Sequence, residues 1–491
     1  MSTSTNFGGM GKGYRHETTI NILSEDVLLE IFFFCERYDA ADPYRRYYVH
    51  GAWHTLVHVC QRWRRTIFAS PRRLDLTLLC TDGTPVRQNL DHFPTLPIAI
   101  LYGYPKDFTP DDEDNLSAAL EHPDLVVFIN IYGENSQLGK AATVMQESFP
   151  VLTVLRLASI DRTRWNLPVL PDGFLGGSAP CLQEIKLDGV PFPALPTLLS
   201  SANDLVVLRL EGIPGNGYVS LEAMIVCLAT MTRLKTLHIK FQSPSSHPDQ
   251  IHLPPETRAV LPALTSFEFR GFCEYLEGLV SRIDSPQLDR INISIMRPQL
   301  ADFRVAQLVE FVNRSYSLQP TLFSRVTISC EGRIYFSDDT RGSSDSIVTS
   351  CEALGWVISD IVHVLSQFSA ILSYVAHLKF CESSRPATRL EGWQPVGMGD
   401  TEWPQLLHLF TAVRTLYIPE ELSGQIALAL EGVAREMVTD VLPALSLLYL
   451  ENQPASSVET FVAVRRDSGR PVITVNKKTE FDTRLQSYLS K

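Results

Sequence analysis

Six short segments of this 491-residue chain align without gaps: LTVLRL (152–157), LQEIKL (182–187), LVVLRL (205–210), LKTLHI (234–239), LTSFEF (264–269) and LDRINI (288–293). Their first residues lie 30, 23, 29, 30 and 24 positions apart. LVVFINI (125–131) is an imperfect earlier copy, and VAHLKF (375–380), VRTLYI (413–418) and LSLLYL (445–450) continue the series. The pattern predicts short strands whose fourth and sixth residues point into a core and whose intervening residues point out. Helical stretches such as SLEAMIVCLATM (220–231) and SGQIALALEGVAREMV (423–438) fall between the strands.

A strand plus a helix every 20–30 residues is the signature of a leucine-rich-repeat solenoid, in which each unit buries its apolar side only by stacking on the next. The predicted class is therefore α/β. A short helical module leads into an irregular leucine-rich-repeat-like horseshoe spanning residues 76–455, closed by a helix–strand cap at 456–491. The ninth position of a regular repeat carries Asn; here it reads Ile160, Val190, Ile213, Gln242, Phe272 and Met296. Without that ladder of amides the array is expected to be looser. Gly/Ser/Asp-rich stretches near 331–350 and 382–402 read as surface loops. Between them, LGWVISDIVHVLSQFSAIL (354–372) has the spacing of a core-facing amphipathic helix.

Stacking would set the fifth positions of the six repeats in one row: Arg156, Lys186, Arg209, His238, Glu268 and Asn292. The seventh positions, Ala158, Asp188, Glu211, Lys240, Arg270 and Ser294, would form another. A mixed-charge groove for a protein substrate is one reading of these rows, with the fifth positions as substrate-binding residues. An ordinary solvated sheet face is the other.

The chain begins with a polar Gly/Ser/Thr-rich tail (1–19), and residues 20–75 look helical. Ser24 can cap a helix, with Glu25 and Asp26 favouring its positive end. In the VLLEIFFFC run that follows, Val27, Leu28, Ile31, Phe32 and Cys35 form one face and Leu29 and Phe33 lie on another. A helix apolar on nearly every side needs cover on more than one side. A module of about 50 residues scarcely provides it alone. Further on, VHVCQRWRRTIFASPRRL sets five arginines around one tryptophan. Leu56, Val59, Cys60, Trp63 and Ile67 fall at helical spacing, with Gln61, Arg62, Arg64 and Arg65 opposite.

ILSEDVLLEIFFFC followed by VCQRWRRTIFASPRRL resembles the F-box over roughly residues 20–75. Ser24 stands where the usual motif has proline, and the segment between the two halves is longer than the common form. The resemblance implies a helical module that docks on the Skp-type adaptor of cullin–RING ubiquitin ligases. It places Leu23, Val27, Leu28, Ile31, Phe32, Val59, Cys60, Trp63 and Pro71 at the adaptor surface. An F-box followed by leucine-rich repeats resembles a fungal-type substrate receptor, so the implied partners are the adaptor, through it the ligase, and a protein substrate. The competing reading is a repeat scaffold outside any ligase, with the N-terminal helices as its cap.

Charge and motifs bound the other classes. Residues 1–75 hold 10 basic and 8 acidic residues while the whole chain holds 43 and 55, an acidic bulk that argues against nucleic acid as partner. Nine cysteines stand singly with no CxxC pair, as in a reducing compartment, and a cytoplasmic or nuclear location is expected. The sequon-like tripeptides at Asn115, Asn292 and Asn313 are read as chance matches. No signal peptide or membrane span is expected. GGMGKG lacks the phosphate-loop context. His50, His54 and His58 with Cys60 lack a complete metal ligand set, and TPDDEDN (109–115) reads as a capped helix start rather than a cation loop. No cofactor, metal or catalytic residue is assigned, and the expectation is a non-enzymatic protein.

Overall fold

The computed structural model describes residues 20–37, 53–70, 76–81, 84–92, 95–103, 109–161, 169–214, 219–242, 258–296, 304–315, 323–329, 333–337, 346–350, 358–381, 402–435, 440–451 and 458–477. Pro71, Cys35's side chain, the tail at 1–19, His50 and the stretch at 382–400 lie outside that description. The chain forms two compact units, Met1–Leu101 and Tyr102–Lys491.

The first unit opens with the helix Glu25–Arg37, begun as expected by Ser24, whose Oγ accepts from the Val27 N–H at 3.3 Å. Leu28, Leu29 and Phe32 form its buried face. The arginine-rich stretch departs from a single helix. It breaks into Trp53–Leu56 and Gln61–Ala69, with Cys60 capping the second through Sγ to the Trp63 N–H at 3.5 Å. The rings of Phe32 and Trp63 meet at 4.8 Å. The arginines are only partly a solvated face: Arg62 donates to the Leu23 carbonyl and Arg64 Nε to the Val57 carbonyl at 3.0 Å. The Val57 carbonyl is a backbone acceptor left open at the helix break, and the Leu23 carbonyl is one left open ahead of the leading helix. Strands β1 (Leu78–Cys80) and β2 (Ile98–Tyr102) then pair in parallel around the helix Val86–His92.

The second unit is a long, mostly parallel sheet. Its strands are β3 (Val126–Gly133), β4 (Val154–Ser159), β5 (Glu184–Asp188), β6 (Val207–Ile213), β7 (Thr236–Phe241), a small β8 (Ala259–Val260), β9 (Ser266–Gly271), a small β10 (Ile283–Asp284) and β11 (Arg290–Met296). They continue with β12 (Arg325–Ser329), β13 (Arg333–Ser337), β14 (Ser346–Ser350), β15 (His377–Cys381), β16 (Thr415–Ile418), β17 (Leu447–Glu451) and β18 (Ile473–Lys477). The spatial order from β3 is β3-β4-β5-β6-β7-β9-β11-β14-β13-β12-β15-β16-β17-β18, with β8 and β10 paired separately.

The repeat motif explains the stacking. First, fourth and sixth positions are all buried: Leu152, Leu155 and Leu157, then Leu182, Ile185 and Leu187, and so on to Leu445, Leu448 and Leu450. The imperfect copy settles into register one residue on, with Ile129 opposite Leu155 and Ile131 opposite Leu157. Entry into each strand is a running backbone ladder. Gln183 N–H bonds the Thr153 carbonyl, Val206 that of Gln183, Lys235 that of Val206 and Thr265 that of Lys235. Connecting helices such as Leu221–Thr230, Cys273–Ser281 and Glu420–Arg435 bury their inner faces on one side of the sheet. Ser220 caps the first of these, and Thr109 with Asp112 forms a capping box on Pro110–Leu120. Apolar ninth positions replace the amide ladder with packing: Val190 and Phe272 are buried, and Phe272 meets the Phe241 ring at 5.8 Å.

One expected loop is instead sheet. Residues 333–337 and 346–350 form β13 and β14, and β13 runs antiparallel to both its neighbours. The chain crosses from β11 to β12 through the helix Ala306–Ser315, and the hairpin folds back to fill the space between them. Ile334, Phe336 and Ile347 supply the buried alternation that the polar run GSSDS in the sequence between them hides from a composition-based reading. Downstream, the amphipathic stretch forms Ile358–Gln367 and Ser369–Leu372, with Ile358, Ile361, Leu365, Phe368 and Leu372 buried as its spacing requires.

Candidate interaction surfaces

The leading helix presents two unlike faces. Leu28, Leu29 and Phe32 are covered by the module itself. Three residues at i, i+4 and i+7, Val27, Ile31 and Phe34, form a stripe on the opposite side. Val27 is 44% and Phe34 69% exposed, and Ile31 is half-buried. Ile20, Ile22 and Val59 add further exposed apolar side chains in the same unit. Among the nine residues expected at an adaptor surface, Leu28 and Phe32 are buried, since helical spacing assigns residues to faces but not which face the module keeps. Val27, Val59 and Cys60 are exposed, while Leu23, Ile31 and Trp63 are half-buried. Phe34, missing from the sequence expectation, was detectable from its seven-residue offset to Val27.

On the second unit, the sheet face turned away from the helices carries the predicted rows. Register places Arg156, Lys186, Arg209, His238, Glu268 and Asn292 side by side on β4, β5, β6, β7, β9 and β11. The seventh-position row holds as Ala158–Asp188–Glu211 and as Lys240–Arg270–Ser294, with an irregularity between β6 and β7 separating the two runs. The row is cross-linked rather than simply solvated. Arg156 grips Glu184 with two bonds of 2.7 and 2.9 Å and lies 5.6 Å from the Phe128 ring centroid. Lys186 lies 3.6 Å from Glu211 and Lys240 2.9 Å from Glu268, while Asn292 donates to Glu268 at 3.3 Å.

His238 departs from the solvated row expected of it, being only 5% exposed. Its Nδ1 lies 3.2 Å from Glu268 and 3.9 Å from Glu211, and its buried Nε2 has no hydrogen-bond partner among the described residues. Burial lowers this imidazole to about 4; Glu268 and Glu211 oppose that shift, and Lys240 and Arg209 reinforce it. A neutral imidazole wedged between long charged side chains is the consequence.

Beyond β11 the same face changes character. The seventh-position row continues through Ser294, Val348, Tyr335, Thr327, Lys379, Tyr417, Tyr449 and Val475. Tyr417 and Tyr449 stack at 4.5 Å with their rings 2° from parallel. Leu447 and the 65%-exposed Ile473 lie on the adjacent row.

Two titratable groups, the half-buried Glu277 and the buried Cys273, serve the seam between repeats. The Glu277 carboxylate accepts from the Gln307 and Leu308 N–H groups at 2.9 and 2.8 Å, capping the helix Ala306–Ser315. Burial pushes it up to about 7 against the pull of those two bonds. Cys273 Sγ donates to the Arg304 carbonyl at 2.8 Å, and burial pushes its thiol up to about 12. Both sit where one repeat's helix meets the next.

These features define a mixed α/β protein of stacked strand–helix units, with a patterned polar sheet face and a leading helical module bearing an apolar stripe. No protein-family model and no curated protein matches the chain, so the F-box resemblance of residues 20–75 rests on those residues alone. Among solved structures, the chain is similar to the leucine-rich repeat-containing protein LegL7 from Legionella pneumophila. The identity is 12%, over 68% of this chain and 95% of that one, with a TM-score of 0.27. So loose a superposition carries no inference about this chain's role.

Proposed function

We propose that this chain is a substrate-recognition subunit of a cullin–RING ubiquitin ligase, with residues 20–75 docking on a Skp-type adaptor and the repeat sheet holding a protein substrate. In this role the chain performs no covalent chemistry. It raises the local concentration of substrate beside enzymes supplied by other subunits. The observation that carries the reading is the Val27–Ile31–Phe34 stripe. It leaves apolar surface exposed on a helix whose opposite face already forms the module's core. A solvent-facing Phe34 is unfavourable in an isolated module and favourable under a partner.

The test is co-purification of the full chain with a Skp-type adaptor, and its loss when Val27 and Phe34 are both changed to Asp. Leu28 is unsuited to this experiment because it is fully buried, and a charge there would unfold the module. A second reading, a repeat scaffold outside any ligase, is favoured by the helix break at Cys60, which separates Val59 from Trp63 where their spacing predicts one helix. That reading requires that no adaptor is captured by the intact chain.

A further inference from the structure

We infer that the sheet face of the second unit takes an extended, acidic protein segment. This rests on the reading of that face as the substrate surface and adds the chemical class of what it binds. The outward positions of β3 to β18 whose side chains are described carry nine lysines and arginines against five aspartates and glutamates, on a chain that totals 43 against 55. Basic charge is therefore concentrated on the one face that the helices leave open. Part of it is neutralised internally, since Arg156, Lys186 and Lys240 each pair with a carboxylate of the face. Arg209, Arg270 and Arg290 have no ion pair among the described residues, and the Arg209 Nε is buried without a hydrogen-bond partner.

These three guanidinium groups stand on β6, β9 and β11, which with β7 are successive in the sheet. Three strand spacings make roughly 14 Å, the length of about four extended residues. Register puts Arg290 level with Ser266 and Arg270 level with Ser294, two residues to either side of the level of Arg209, so a segment crossing the strands obliquely can set carboxylates opposite Arg209 and either of the other two. Guanidinium–carboxylate pairing is directional and bidentate, which suits this geometry. The same face also holds Glu184, Asp188, Glu211, Glu268 and Glu451. A nucleic-acid strand, with phosphate at every step, would be forced against those carboxylates. A polypeptide can place neutral or basic residues there instead. Toward β16–β18, the stacked Tyr417 and Tyr449 and the exposed Ile473 supply apolar contact for the segment's uncharged side chains.

The experiment is fluorescence anisotropy of the full chain with a labelled 20-residue peptide of interspersed Glu, Asp and Leu, run beside a Lys/Leu peptide and a single-stranded oligouridylate. Saturable binding of the acidic peptide alone is expected, weakening at least tenfold between low and physiological salt. A further tenfold loss is expected in the triple variant Arg209→Glu, Arg270→Glu, Arg290→Glu. Should that variant fail to fold, the exposed pair Arg270→Glu and Arg290→Glu carries the test with the same expected direction. Absence of acidic-peptide binding, binding untouched by these changes, or tighter binding of the oligouridylate lost in the same variants would each overturn the inference. A photo-cross-linker at Ala158 separates the two levels. If it labels proteins while the acidic peptide fails to bind, the acidic class is wrong and the substrate surface stands; if it labels none, the substrate surface itself is wrong.

Discussion

Replacing Val27 and Phe34 by Asp tests how much of the leading helix's exposed stripe a partner covers. A buried Phe contributes about 200 Å² of contact surface, so the 69% that Phe34 leaves exposed corresponds to roughly 140 Å² and about 3.5 kcal/mol when covered. Val27, 44% exposed, adds about 0.7 kcal/mol, taking about 1.5 kcal/mol for a Val side chain covered in full. Losing about 4 kcal/mol weakens association by up to about a thousandfold, since each 1.4 kcal/mol is a factor of ten. The entropy of association is common to both proteins and cancels in the comparison. Because both side chains point away from the module's core, fold stability should change by no more than about 0.5 kcal/mol. Titration calorimetry against a Skp-type adaptor, with thermal unfolding of each chain alone as the control, measures both quantities. A dissociation constant within threefold of the unsubstituted chain, with unfolding unchanged, would show that the stripe is not covered, and the docking claim would fall.

Three further outcomes follow from the second unit. Gly271→Ala should destabilise the chain by about 1–3 kcal/mol, because the added Cβ collides with the Phe241 ring and lies 2.8 Å from Phe269 Cζ; an unchanged melting temperature would mean this seam yields freely. His238, held at about 4 against an ordinary 6.5, favours the folded state fully above pH 6.5, and that contribution is lost as pH falls through about 4. Urea midpoints from pH 7.5 to 4 should therefore drop more steeply for the native chain than for His238→Gln, and parallel curves would refute a buried neutral imidazole. Glu277, raised from 4.5 to about 7, acts in the opposite sense: its contribution is complete below pH 4.5 and lost as pH rises through about 7. Relative to Glu277→Gln, the native chain should lose stability across that interval, and a constant difference between the two would contradict it.

The repeat was legible because its signal is local. Leu, Ile and Phe at fixed offsets declare which side chains are inward, and every repeat from Leu152 to Leu450 obeys that rule. The rows of outward residues followed from the same offsets once equal register was assumed. The strands β13 and β14 were not legible, because the polar residues between them outweighed two short alternating runs, and because β14 completes the sheet against β11, about 50 residues earlier in the chain. Phe34 and Leu28 illustrate a second kind of gap. Both belong to one oily helix, and nothing in the spacing says which of them the module covers with itself.

What the amino-acid order alone determined, then, was a stacked strand–helix array behind a short helical lead, together with the identity of its core. Only the tertiary structure decided the electrostatics of the open face. The carboxylate that neutralises Arg156 comes from residue 184, and the groups enclosing His238 come from β6 and β9 on either side of it. A net count over the chain describes an acidic protein, whereas the described outward positions of the open sheet face carry a basic excess of nine against five. The physical reason is range. Burial of an apolar side chain repeats along the chain with the period of its element, but charge acts through distance, and distances between repeats exist only once they have stacked.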